Sequence, residues 1–231
     1  MLQGDHDIYA SAPLRRLLDD QTRAIAPDLQ RCFGTHALLL SAVGTDVPPV
    51  LPMLGYWAGL QATSEGYLGD LVASVDSGLP FVTDAFELVL LRHALEVVPD
   101  AAELLSEAVR VLAPGGSIVV TGLHPLSAWA PWFYWRTRRG SPHLRAWTPA
   151  WLKRRLQRAG LEIQRTQRVG RAWPGSSSPP SGPASAFGGG YVLVARKRHR
   201  VVSPLRKKAA VVRVRASSGL SPGARRSSGP Y

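Results

Sequence analysis

The chain has 231 residues, 45% hydrophobic and 19% charged, enough for one domain with a sizeable core and short for two. Its single cysteine, Cys32, excludes an intramolecular disulfide framework and a cysteine-based zinc site. The net charge of +12 is unevenly placed: residues 196–231 hold eleven of the 28 Lys+Arg and no acid, whereas residues 1–110 hold 15 of the 16 acids and six Lys+Arg.

The opening residues MLQGDHDIYASAP lack the basic start and apolar core of a signal peptide. The most apolar run, 86–98, is interrupted by Glu87, Arg92, His93 and Glu96, so no membrane span and a cytoplasmic location are expected. Residues 12–28 place Leu14, Leu17, Leu18 and Ile25 at helical spacing, an amphipathic entry helix. Residues 36–43 (HALLLSAV) form a short, nearly continuous apolar run, the pattern of a strand buried on both faces. The segment Gly44 to Pro49 breaks it. Further strands are expected near 53–61, at 71–75 with a turn over 76–80, and at 86–91 (FELVLL).

Residues 99–112 read as a helix capped by Asp100, with Leu104, Leu105, Ala108, Val111 and Leu112 as its buried stripe and Pro114-Gly115-Gly116 as its stop. A buried strand follows at 117–121 (SIVVT), then an aromatic stretch, then a helix from the Thr148 cap to about Ala159. The last two strands, 161–168 and 190–195, are expected to form an antiparallel edge hairpin around a long Ser/Pro/Gly loop at 173–190. Strands separated by helices predict a mostly parallel, doubly wound α/β sheet, whose ligands sit at the carboxyl ends of the strands. The domain is expected over 1–198 and a basic, disordered tail over 199–231.

Residues 79–125 carry the most specific pattern: Leu-Pro-Phe, a polar turn, Phe-Glu-Leu-Val, a His-x-Leu-Glu segment, then a helix ending Arg110-Val111-Leu112-x-Pro114-Gly115-Gly116 before a strand. In that order they resemble the second half of the methyltransferase type 11 group of class I S-adenosylmethionine-dependent enzymes. His124-Pro125-Leu126-Ser127-Ala128-Trp129 and the ending Gly190 to Arg198 are similar to segments of a small bacterial branch of that group. The resemblance covers roughly residues 9–198. It implies a Rossmann-like class I methyltransferase fold, S-adenosyl-L-methionine as cosubstrate, and methyl transfer to a small molecule by in-line displacement without a metal.

For the cofactor, the resemblance implies Gly44 in the loop after the first strand, Asp76 and Leu79 beside the adenine, and Arg92 and His93 at the rim where cofactor and substrate meet. It implies His124 as the general base toward a substrate hydroxyl or amine. Two features depart from the group. The glycine-rich loop, where missing side chains let the backbone approach the methionine part, is here Leu40-Ser41-Ala42-Val43-Gly44-Thr45, with one glycine. The acid that ends the second strand and binds the ribose is missing from 56–62 (YWAGLQA).

Those departures keep a second reading open, a catalytically inactive methyltransferase-like binding or scaffold domain. A third is RNA methylation, with the basic tail on the phosphate backbone. The aromatic cluster Trp129, Trp132, Phe133, Tyr134, Trp135 and Trp147, interleaved with Arg136, Arg138, Arg139 and Arg145, reads as a cap over the substrate crevice or a base-stacking platform. His36, His143 and His199 show no metal-ligand spacing, so no metal is expected.

Overall fold

The computed structural model describes residues 8–44, 46–137, 145–175 and 187–198. The tail at 199–231, the middle of the 173–190 loop, and Arg138, Arg139 and His143 lie outside the described residues. After a 3₁₀ turn at Ile8–Ala10, helix α1 (Ala12–Leu29) leads into β1 (Gly34–Ser41) and β2 (Leu54–Ala62). Short strands β3 (Gly66–Gly69) and β4 (Ala73–Ser74) precede a 3₁₀ turn at Val75–Ser77 and β5 (Phe86–Arg92). Then come α2 (Ala94–Val97), α3 (Ala101–Val111), β6 (Leu112–Leu123), α4 (Trp129–Thr137), α5 (Pro149–Arg158), β7 (Leu161–Val169) and β8 (Gly190–Lys197).

All eight strands form one sheet in the order β4-β3-β2-β1-β5-β6-β8-β7. The centre, β2-β1-β5-β6, is parallel, and the strands at both edges are antiparallel. This is the expected Rossmann-like α/β sheet with an antiparallel edge pair. Because side chains alternate across a strand, the register sorts the apolar runs into two layers. Ala58, Leu38, Val89, Ile118 and Ala195 line up across the sheet and meet Leu104, Leu105 and Ala108 of α3 and Leu152 and Leu156 of α5. The next row, Leu39, Leu90, Val119 and Val194, faces Ile25 and Leu29 of α1. Asp100 caps α3 as expected, its carboxylate accepting from the N–H groups of Ala102 and Glu103 at 2.8 and 3.0 Å.

Two expectations are corrected. The strand expected at 71–75 is cut to the two residues of β4, antiparallel to β3, with Leu71 and Val72 exposed, and the strand after β2 is instead β3, antiparallel to it. Only Thr63, Ser64 and Glu65 link β2 to β3, far fewer than the roughly ten or more residues a parallel crossover requires. Likewise no helix separates β1 from β2. That connection carries Pro48, Pro49 and Pro52, which remove backbone donors and restrict their neighbours to extended conformations. The α1 face of the sheet is therefore covered by one helix and a proline-bearing loop.

Candidate functional site

The carboxyl ends of β1, β5 and β6 converge where a doubly wound sheet holds its ligand. In this chain the ends of β1 and β5 are tied to each other. Ala42 N–H donates to Arg92 O at 2.9 Å, and Ser41 and His93 form an isolated antiparallel bridge. His93 adopts the left-handed conformation at φ 57°, which turns its ring inward, and it is fully buried.

Around that ring lies a closed polar network. Gln21 Nε2 donates to Gly122 O at 3.1 Å, so its Oε1 accepts from His93 Nε2 at 2.8 Å. His93 Nδ1 meets Glu96 Oε2 at 3.0 Å. Glu96 also accepts from Tyr9 OH at 2.8 Å and from Leu123 N–H at 2.5 Å. Tyr9, Gln21, His93 and Glu96 are each at most 3% exposed. Above the network, Ile8, Tyr9, Leu14 and Leu17 of the N-terminal segment pack with Ala42, Leu123, Trp129 and Phe133 into a separate apolar cluster. This cluster packs over the ends of β1 and β5 and borders a cavity at the end of β6.

Of the residues expected at a cofactor site, Arg92 and His93 lie at the end of β5 beside the loop after β1, and Asp76 and Leu79 precede β5. Arg92 is buried and spent on Asp46 Oδ1 at 2.7 Å and Thr22 Oγ1 at 3.0 Å. Gly44 is exposed, and a β-carbon there would lie 2.9 Å from Gln61 Oε1. Asp76 is an exposed member of the 3₁₀ turn. Leu79 is buried, and its backbone is held to α3: its N–H donates to Glu107 Oε2 at 2.9 Å, and its carbonyl accepts from Arg110 at 3.0 Å. Arg110 also donates to Phe81 O at 2.8 Å and holds the Glu107 carboxyl below the usual carboxylate range. This clamp gives the Leu-Pro-Phe and Arg-Val-Leu segments a structural purpose.

His124 follows β6 and borders a cavity of about 250 Å³ lined by Leu123, Trp129, Ala130, Phe133 and Tyr134. Burial and, secondarily, the Arg168 charge push its imidazole below the ordinary histidine range, so it is neutral at pH 7. Its Nδ1 faces an Arg168 N–H at 2.6 Å and the Leu126 N–H at 3.2 Å. The same Arg168 nitrogen also lies 3.2 Å from Nε2, so the guanidinium faces both ring nitrogens of His124. The aromatic segment is divided: Trp129 and Phe133 are buried against the crevice, whereas Tyr134 and Trp135 are exposed. That arrangement is a cap, and the stacking of Trp147 on Trp151, with ring centroids 4.4 Å apart, belongs to the opposite layer.

Gln21, Tyr9 and Arg168 escape a reading of the sequence. Gln21 left one signal, a polar residue between Leu17 and Ile25 on the buried stripe of α1. Among the described residues no group of three His, Cys, Asp or Glu is placed to hold a metal, and no helix is long and apolar enough to cross a membrane.

Comparisons place this geometry among known proteins. Residues 38–120, from β1 into β6, match the family model of the methyltransferase domain. Rv2003c, an uncharacterized protein of Mycobacterium tuberculosis, is 30% identical over 164 residues, which cover 67% of this chain and 56% of that protein. The phthiotriol/phenolphthiotriol dimycocerosates methyltransferase 1 of Mycobacterium ulcerans is 38% identical over 63 residues, 27% of this chain and 23% of its own length. The crystal structure of a S-adenosylmethionine-dependent methyltransferase of Thermotoga maritima, a possible histamine N-methyltransferase, matches with a TM-score of 0.56 at 16% identity, covering 80% of this chain and 91% of that one. The chain spans 56% of the length of the uncharacterized relative.

Proposed function

Given that the chain carries a class I domain of the methyltransferase type 11 group, whose reaction is methyl transfer from S-adenosylmethionine, we propose that this member uses the frame to bind a small, largely apolar molecule at the end of β6. One observation carries the reading: the crevice of the group's cosubstrate is closed by the Ala42–Arg92 hydrogen bond and by the buried Tyr9–Glu96–His93–Gln21 network. S-adenosylmethionine is the cosubstrate that the family match supports. The loop after β1 carries one glycine, no acid ends β2 over residues 56–62, and Leu14, Leu17 and Ala42 pack in one buried cluster beside the end of β1.

The remaining pocket suits a different ligand. Leu123, Trp129, Ala130 and Phe133 supply apolar contact, and the His124 imidazole supplies one polar group that fixes orientation. A cavity of about 250 Å³ holds a molecule of roughly ten to fifteen non-hydrogen atoms. The free thiol of Cys32 suits a reducing cytoplasm.

Methyl transfer by this chain is the second reading, favoured by the family match across residues 38–120. The two separate on one titration. The neutral probe 1-naphthol is expected to bind the full chain at a single site and to lose that site in Ala130→Trp, which fills the cavity. Millimolar S-adenosylmethionine is expected to leave naphthol binding unchanged. Naphthol binding equally well to Ala130→Trp sinks the pocket assignment, and a cosubstrate that binds and alters the probe's affinity supports methyl transfer instead.

A further inference from the structure

At the amino edge of the parallel strands, on the side opposite the crevice, a cavity of about 520 Å³ opens beneath the C-terminal end of α1. Its origin is topological. Helix α1 stops at Leu29 and no helix joins β1 to β2, so the cavity lies beside the end of the buried apolar row, next to Val119 and Val194. Phe33 stands in the wall with 66% of its surface exposed. Such an edge is not where a doubly wound sheet places its usual ligand, and the family match assigns nothing to it.

Its charges are arranged unevenly. Asp28 is consumed by an ion pair with Arg165, whose guanidinium also donates to Ala24 O at 2.6 Å and to Gln167 at 2.8 Å. Glu87 accepts from the His36 N–H at 2.9 Å and lies 3.5 Å from the Thr35 hydroxyl. Both acids of the lining are thus engaged. Of the cations, Arg196 spends only its Nε, on Gly115 O at 3.0 Å. The Arg31 side chain makes no hydrogen bond or ion pair to any of the described residues. Two guanidinium groups therefore stand at a cavity whose wall carries the exposed ring of Phe33. The last amides of α1 already bond its terminal carbonyls, since Arg31 N–H donates to Asp28 O and Cys32 N–H to Leu29 O, which blunts the negative end of the helix.

We propose that this cavity binds a flat aromatic carboxylate. The carboxylate is taken by Arg31 and Arg196, whose planar forks match it in shape and charge. The ring packs against Phe33. Nothing in this reading depends on the pocket at the end of β6, so the two stand or fall separately.

Cys32 makes the test specific to the site, because it lines the cavity and is the chain's only cysteine. Burial pushes its thiol up, so alkylation by neutral iodoacetamide is followed by intact mass at about pH 9, where enough thiolate is present. We expect 2-naphthoate to slow alkylation of Cys32 at submillimolar concentration in the full chain, and its uncharged analogue 2-naphthamide to give no protection there. Arg31→Glu and Arg196→Glu should each raise the half-protecting concentration at least about tenfold. Arg31 is exposed, so its variant keeps the parent's melting temperature and remains interpretable should Arg196→Glu fold poorly. Equal protection by 2-naphthamide overturns the proposal, as does unchanged protection in Arg31→Glu or no protection at 10 mM naphthoate.

Discussion

Replacing Glu96 by alanine removes, in one step, the acceptor of Tyr9 OH at 2.8 Å and Leu123 N–H at 2.5 Å, and the partner of His93 Nδ1 at 3.0 Å. Tyr9, His93 and Leu123 are at most 3% exposed, so water does not take its place. A buried donor left without an acceptor costs about 1–3 kcal/mol, and breaking a buried charge-bearing pair costs about 3–5 kcal/mol. The groups share one cavity, so their losses overlap, and we expect about 3–5 kcal/mol in all. Against a total stability of about 5–15 kcal/mol for a domain of this kind, that is a large fraction. Glu96→Gln keeps the shape and one acceptor and should lose about 1–2 kcal/mol, and Tyr9→Phe about 1 kcal/mol. The assay is urea unfolding of the full chain followed by circular dichroism, with midpoints compared at constant slope. Because Tyr9 bonds the carboxylate that the alanine removes, adding Tyr9→Phe to Glu96→Ala should cost less than the two single losses combined. A loss below about 1 kcal/mol for Glu96→Ala would mean that solvent reaches the network, and the closed crevice would be refuted.

Gly122→Ala should destabilise by about 1–3 kcal/mol in the same assay, because the new methyl meets Tyr191 OH at 2.5 Å in the middle of the sheet; wild-type stability would contradict that close approach. Asp100→Ala should lose about 1 kcal/mol with its two capping bonds, and Asp100→Ser most of that loss should recover. The Glu107 carboxyl is held below its free value of 4.5 by Arg110, so its contribution is present above that pH and disappears as pH falls through the lowered value. Glu107→Gln should therefore be less stable than the parent at pH 7, by less than about 1 kcal/mol because the pair is partly exposed, and the gap should close as pH falls through the lowered value. A gap that does not depend on pH argues against the clamp. For His124, whose value is lowered, protonation opposes the fold: its contribution is complete above 6.5 and is lost as pH falls toward the lowered value. His124→Gln should flatten the parent's stability slope just below pH 6.5, and an identical slope removes the case for a neutral imidazole.

The centre of the fold is legible in the sequence for local reasons. The runs at 36–43, 86–91 and 117–121 are apolar on both faces because helices and core cover both sides of β1, β5 and β6. The α3 boundary is written in Asp100 and in the Pro-Gly-Gly stop. The strand at 71–75 misleads because Leu71 and Val72 are apolar residues on the surface, and periodicity does not separate those from a core run. Helix α4 is hidden by aromatics on every side, which give no helical period. At the crevice, the eroded glycine loop and the missing acid after β2 point toward a lost cofactor. What fills the space is another matter. Tyr9 and Gln21 come from the N-terminal segment, 84 and 72 residues before His93, and Tyr191 of β8 is 69 residues after Gly122; only the packed sheet brings them together. The amino-edge cavity is silent for the same reason, since Arg31 and Arg196 meet only because β8 runs antiparallel beside β6.

Isothermal titration of the full chain with S-adenosylmethionine and with its demethylated product tests the closed crevice most directly, with Gly44→Val as control. The account predicts no heat and no thermal shift at millimolar ligand, in the parent and the variant alike. Micromolar binding that Gly44→Val weakens, with the matching rise in stability that ligand linkage requires, would contradict it and return the chain to the working enzymes of its group.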